Sequence, residues 1–249
     1  TVFAHPVTIG IKVALTAVID IDALVPAWFD EETGQWVPLP AVIDLETGLV
    51  VFQIDHFTAF AVVQKPPRRG FDDIQDYAWA KDAIEILAGQ NIISGTGLGF
   101  EPGRDITRAE FVRLVVTAAG LQPDENGPRC MFTDVSAVDW FEPAVRCACQ
   151  NKLLSGYADG TFRPGKSISR YEAAVILLNL GGENSLSNEA ALLYADSELV
   201  PDWAREAVAY MHHTGLMTGY PDGSFGGSRS LSRAETAVII YRYLCSNLS

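Results

Sequence analysis

Two stretches near the C-terminus decide how this chain reads: Gly219-Tyr220-Pro221-Asp222-Gly223-Ser224-Phe225 and, a few residues on, Ser232-Arg233-Ala234-Glu235. The first is turn chemistry, with a glycine placed where the backbone must reverse. The second carries a hydroxyl followed three residues later by a Glu, the signature of a capped helix start. Working outward, the same pair recurs as Gly156 to Phe162 with Ser169-Arg170-Tyr171-Glu172, and as Gly95 to Phe100 with Thr107-Arg108-Ala109-Glu110. Two further anchors precede each copy. Trp79, Trp140 and Trp203 stand sixteen residues before Gly95, Gly156 and Gly219. An aromatic-x-Asp ending in Asp73, Asp134 or Asp196 stands six or seven residues before each Trp. The period is 61 to 63 residues, which marks a tandem repeat of three units.

Each unit predicts helix, loop, helix. The first helix starts near the Trp, with Ile84 and Leu87, Val145 and Ala148, and Val208 and Met211 three apart on its inner face. The second helix starts at the Thr/Ser-Arg-x-Glu frame and is apolar throughout, as in Ala173 to Leu178. A helix so apolar must be central, so the three are expected to share one core.

Upstream the pattern is β. Val7 to Ile19 is rich in Val, Ile and Thr, and turns are expected at Glu31–Gly34 and Asp44–Gly48, with strands at Leu49–Ile54 and Phe57–Val63. Four or five strands are expected over residues 1–65. Lys65-Pro66-Pro67-Arg68-Arg69-Gly70 then breaks the pattern, and two consecutive prolines make it the best boundary. Thr1 leads straight into strand-like sequence, with no basic or apolar leader, so the chain reads as a fragment of a longer protein.

Composition narrows the function. The 249 residues are 48% hydrophobic and 20% charged, as expected of a folded globular chain. No apolar run is long enough to span a bilayer. The net charge of −13 argues against nucleic acid as a partner, since the phosphate backbone demands a basic footprint. An anion would have to bind at a local basic spot. Cys130, Cys147, Cys149 and Cys245 show no C-x-x-C and no zinc spacing, so no metal or other cofactor is expected. Cys147 and Cys149 cannot easily pair on one helix; a bond from Cys130 to either is open in an oxidising compartment.

The Thr/Ser-Arg-x-Glu frame carries the chemistry. Hydroxyl and Glu close a capping box, which leaves the Arg unexplained. Arg108, Arg170 and Arg233 fall at the first helical position, where free N–H groups and a guanidinium fork suit a carboxylate or phosphate. The alternative is a well-capped helix with a solvated Arg. On this logic Arg→Ala costs less than about 1 kcal/mol of stability. Trp79, Trp140 and Trp203 read either as groove-lining aromatics or as anchors of the first helix on the core. Asp73, Asp134 and Asp196 read as N-caps or turn formers.

These residues together resemble the S-layer homology family in its three-in-a-row arrangement. The likeness covers roughly residues 71–246, and Asp55 to Val62 resembles the close of a β domain often placed before such repeats. The resemblance implies a multidomain chain: an all-β, sandwich-like segment over 1–65, a linker at 66–70, and a mainly α pseudo-trimer of repeats at 71–123, 130–183 and 192–249 around a three-helix bundle. It implies non-covalent anchoring of a surface or S-layer protein to the bacterial wall. The partner it implies is an anionic, pyruvylated secondary wall polysaccharide linked to peptidoglycan, held in grooves between repeats. Catalysis is not expected here. The competing readings are an anchoring module of a wall-attached polysaccharide-degrading enzyme whose catalytic domain lies elsewhere, and a lattice protein that self-assembles through its upstream region. The glycan-binding candidates are Arg108, Arg170, Arg233, Trp79, Trp140, Trp203, Asp73, Asp134, Asp196, Gly95, Gly156 and Gly219.

Three departures stand out. The first repeat's loop, Gly95 to Phe100, is one residue short and lacks Tyr and Asp. Gly227 stands where the other repeats have Pro102 and Pro164, and Tyr171 where they have Ala109 and Ala234. Because repeats 2 and 3 keep the full loop, Arg170 and Arg233 are expected to matter most for binding.

Overall fold

The computed structural model describes residues 2–14, 24–30, 35–44, 47–56, 58–64, 70–124, 127–181 and 194–246. The expected hairpin turn at 31–34 and the linker residues 65–69 lie outside them. The chain divides into two compact units: Thr1–Pro102 with Thr117–Gly120 and Ile240–Ser249, and Gly103–Val116 with Leu121–Ile239.

In the first unit, six strands are described where the sequence suggested four or five: β1 (Val2–Lys12), β2 (Leu24–Asp30), β3 (Gln35–Pro38), β4 (Ala41–Asp44), β5 (Leu49–His56) and β6 (Phe60–Gln64). They form two three-stranded antiparallel sheets, β1-β5-β4 and β3-β2-β6. The extra strand comes from Ala41–Asp44, too short to signal itself by alternation. Leu24 from one sheet packs with Ala41, Ile43, Val50, Phe52 and Ile54 from the other, with Phe60 and Val62 against them. This is a small sandwich core. Helix α1 (Ala78–Gly89) buries Ile84 and Leu87, as the spacing predicted. Its C-cap Gln90 is buried, donating to the Ala41 carbonyl at 2.8 Å and accepting the Ala41 N–H at 3.3 Å.

In the second unit lie α3 (Glu142–Gln150), α4 (Arg170–Gly181) and α5 (Asp202–Thr214). Val145, Ala148, Val208 and Met211 are fully buried. The remaining helices, α2 (Arg108–Ala118) and α6 (Arg233–Ser246), begin here. Just before α2, α4 and α6, three equivalent residues close a ring of backbone hydrogen bonds. Ile106 N–H donates to the Leu231 carbonyl at 2.9 Å, Leu231 N–H to Ile168 at 3.1 Å, and Ile168 N–H to Ile106 at 3.1 Å. All three side chains are buried.

The four cysteines divide as the sequence allowed. Cys130 and Cys149 form a disulfide with Cα atoms 6.3 Å apart, tying the start of the second repeat to α3. Cys147 and Cys245 are outside the disulfide, and Cys147 is buried.

Candidate functional site

The three second helices begin where the frames predicted, with Arg108, Arg170 and Arg233 as first helical residues. The capping boxes are closed in all three. Ser169 Oγ accepts Glu172 N–H at 3.2 Å while Glu172 Oε2 accepts Ser169 N–H at 2.9 Å. Thr107 with Glu110, and Ser232 with Glu235, repeat the arrangement.

The helix ends themselves are not open to an anion, contrary to the sequence expectation. The first helical N–H groups of α2, α4 and α6 donate to the carbonyls of Lys166, Arg229 and Arg104 at 2.9–3.0 Å, each in another repeat. Ala109 and Tyr171 N–H are likewise taken by Pro164 and Gly227. With the third N–H held by the cap, the first turns of α2 and α4 are spent on joining repeats, and at those two helices the guanidinium is left for chemistry.

Nor are the arginines solvated: Arg108 and Arg170 are 4% exposed and Arg233 9%. Each of the first two reaches forward into the next repeat's loop. Arg108 Nε donates to the Phe162 carbonyl at 3.0 Å, with Nη1 3.4 Å from Glu172 and its guanidinium over the Tyr157 and Phe162 rings. Arg170 Nε donates to the Phe225 carbonyl at 2.9 Å and its guanidinium covers Tyr220 and Phe225. The two differ at the tip. Arg170 Nη2 is tied to the Thr218 carbonyl at 2.7 Å. Among the described residues, Arg108 Nη2 makes no hydrogen bond.

Arg108 lines a cavity of about 370 Å³. Its lining combines polar Ser155, Tyr157 and Glu172 and the backbone at Gly156 with apolar Leu153, Val175 and Ile176 of the second repeat and Trp203 of the third. This volume is in the range of small-ligand sites. Burial pushes the Glu172 carboxyl up, but the Ser169 N–H, the Tyr157 hydroxyl, Arg108 and Lys166 outweigh it and hold the group below the ordinary 4.5. Two cations, Arg108 and Lys166, thus face one carboxylate: a local basic spot in an acidic chain.

Trp79, Trp140 and Trp203 are 59%, 57% and 60% exposed, which overturns the core-anchor reading. Their spacing puts them on the first helix or its approach, away from the face carrying Ile84, Val145 and Val208. Asp73, Asp134 and Asp196 do not cap the first helices. Each is a two-oxygen clasp on its own repeat's loop. Asp134 accepts Phe162 N–H at 2.7 Å and Arg163 N–H at 2.8 Å; Asp73 takes Phe100 and Glu101, and Asp196 takes Phe225 and Gly226. The second residue of each pair has positive φ, 56° at Glu101, 58° at Arg163 and 65° at Gly226, which turns two successive N–H groups onto one carboxylate. Gly95, Gly156 and Gly219 lie under the aromatic of the aromatic-x-Asp motif: a Cβ there would overlap the Phe71, Phe132 or Tyr194 ring. Of these glycines, Gly156 also lines the cavity.

Sequence reasoning missed Tyr157, Glu172 and Lys166 as site residues. Tyr157 had been absorbed into the turn and Glu172 into the cap. The signal was the tyrosine of the Gly-Tyr-x-Asp-Gly loop, which the turn itself does not need. The complete loops of repeats 2 and 3 are served by Arg108 and Arg170, which reach forward into them.

Comparison with known proteins matches residues 70–112, 132–174 and 193–237, more than half of the chain, to the S-layer homology domain. The chain belongs to that family, a non-catalytic domain that anchors surface proteins and enzymes to the cell wall. It is 31% identical over 222 residues to an amylopullulanase of Thermoanaerobacterium thermosulfurigenes, covering 87% of this chain and 12% of the relative. It is 40% identical over 94 residues to a cellulosome-anchoring protein of Acetivibrio thermocellus, covering 37% of this chain and 21% of the relative. To a surface-layer 125 kDa protein of Lysinibacillus sphaericus it is 31% identical over 179 residues, covering 69% and 14%. The chain thus spans a small part of each relative. No helix among the described residues is long and apolar enough to cross a membrane.

Proposed function

We propose that this chain is the non-covalent wall anchor of a secreted surface protein, and that the Arg108 cavity takes an acidic group of the secondary wall polysaccharide. The pyruvate ketal of a pyruvylated glycan fits the chemistry, being a carboxylate carried on a sugar. The observation that carries the reading is the unbonded Nη2 of a buried arginine in a cavity that an exposed tryptophan also lines. A carboxylate entering there meets a desolvated guanidinium, and the sugar ring meets an indole face. In this reading Arg170, Arg233, Trp79 and Trp140 serve sister grooves. The Asp clasps and loop glycines shape the loops.

The reading extends to architecture: a β segment over 1–65, a joint at 66–70, and repeats at 71–123, 130–183 and 192–249 with α2, α4 and α6 as a shared three-helix bundle. It supports a surface-layer cargo and an enzyme cargo equally, because relatives of both kinds carry the matching segment. Pull-down with purified wall sacculi tests it. Binding that is lost when the secondary polysaccharide is chemically stripped supports the proposal; binding that survives stripping sinks it.

A further inference from the structure

The two sequence departures in repeats 2 and 3 meet in space. Tyr171, where the other repeats have Ala109 and Ala234, lies over Gly227, where they have Pro102 and Pro164; a Cβ at Gly227 would overlap its ring. Tyr171 is buried, stacks on Phe225 at 5.9 Å between centroids, and turns its ring against Trp203 at 6.0 Å and 79°. Its backbone N–H donates to the Gly227 carbonyl at 2.9 Å, as Ala109 N–H does to Pro164, so the backbone joint is the same in both repeats and only the ring is added. The Tyr171 hydroxyl makes no hydrogen bond among the described residues. What the ring contributes is its face and edge.

Trp203 is the aromatic that lines the Arg108 cavity, and Tyr171, which is not among the lining residues, is in edge-to-face contact with it. Trp140 instead lies under the Arg113 guanidinium at 5.7 Å. We propose that Tyr171, admitted by Gly227, is a positioning residue that fixes the Trp203 indole and so gives the Arg108 groove a tighter grip on the sugar ring. This rests on the reading of the cavity as a glycan site. An edge-to-face partner restricts an indole that is otherwise exposed, so less rotamer freedom is lost when a sugar stacks on it.

The test uses the full chain labelled with 5-fluorotryptophan, the Trp203 resonance assigned by its absence in Trp203→Phe. Titration with the methyl glycoside of pyruvylated N-acetylmannosamine then reads this groove alone. Tyr171→Phe is expected to bind like the parent, since the hydroxyl is unused. Tyr171→Ala is expected to broaden the Trp203 signal and weaken binding roughly three- to tenfold, the range of one aromatic pair. The double variant Tyr171→Ala, Gly227→Pro restores the pairing of the other repeats. It should recover thermal stability and keep the weakened affinity, which a merely structural role would not do. If Arg108→Ala abolishes the titration while Tyr171→Ala binds like the parent, the positioning role is overturned and the groove reading stands. If Arg108→Ala itself binds like the parent, the groove reading falls and takes this inference with it.

Discussion

Gln90 holds both polar groups of the Ala41 backbone, its amide donating to the carbonyl at 2.8 Å and accepting the N–H at 3.3 Å. Ala41 is in β4, the edge strand of its sheet among the described residues, and a side chain from α1's cap takes the position a further strand would hold there. Both residues are buried. Gln90→Ala leaves two buried backbone groups unpaired and is expected to cost about 1–3 kcal/mol, read by urea denaturation. A loss within about 0.5 kcal/mol would mean that water replaces the amide.

The buried arginines are expected to do more for folding than the capping box implied. Arg108→Ala strands the Phe162 carbonyl and removes a partner of Glu172, so it is expected to cost about 1.5–3 kcal/mol by thermal or chemical unfolding. Arg170→Ala is expected to cost as much or more, because Thr218 also loses its donor. For binding the order reverses: Arg108, with its free Nη2, should show the larger loss in calorimetry with the pyruvylated glycoside at temperatures where both variants are folded.

The Asp clasp predicts a loop defect. Asp134→Ala frees the N–H groups of Phe162 and Arg163, and the positive-φ backbone at Arg163 loses its N–H acceptor while its side chain keeps Asp159 and Thr161. A stability loss of about 1.5–3 kcal/mol is expected, with faster amide hydrogen exchange at Phe162 and Arg163. Unchanged exchange there would refute the clasp.

Thiol titration under denaturing, non-reducing conditions should count two free thiols, Cys147 and Cys245. In the native state both should react slowly, since burial pushes each thiol above its ordinary value. Four free thiols, or none, would contradict the Cys130–Cys149 assignment.

Acid should loosen the repeats. In the folded state Glu110 and Glu172 are held below the ordinary 4.5: burial alone would raise them, but Arg104 and Thr107 on the one, and Ser169, Tyr157, Arg108 and Lys166 on the other, prevail. A depressed folded value stabilises above the unfolded one and is lost as pH falls through it. The melting temperature should therefore drop as pH falls below about 4.5, and less steeply in Glu172→Gln. Parallel curves for the two proteins would exclude Glu172 as a source.

What the sequence disclosed was local. Helix starts at Arg108, Arg170 and Arg233 were legible to the residue, because hydroxyl and Glu lie one turn apart and the cap is made within the same segment. The apolar faces of α1, α3 and α5 were legible from period alone. Contacts spanning many residues were not. Asp134 reaches 28 and 29 residues on to its N–H partners, and nothing at Asp134 itself separates such a clasp from an N-cap. The arginines were seen as residue types but not as forward-reaching, since direction across a repeat boundary is a property of packing. Tyr171 and Gly227 read as two unrelated departures, and only their overlap in space makes them one substitution.

The backbone ring through Ile106, Ile168 and Leu231 gives each repeat one donor bond and one acceptor bond, and then it is complete. An open stack of repeats can lengthen by adding a copy at its end. A closed ring has no end. Inserting a fourth unit would break an existing bond before making its own, and deleting one would leave a donor and an acceptor facing each other across a gap. The number three is therefore part of the geometry, and stronger attachment to a wall must come from altering individual grooves or from adding a whole second set of three.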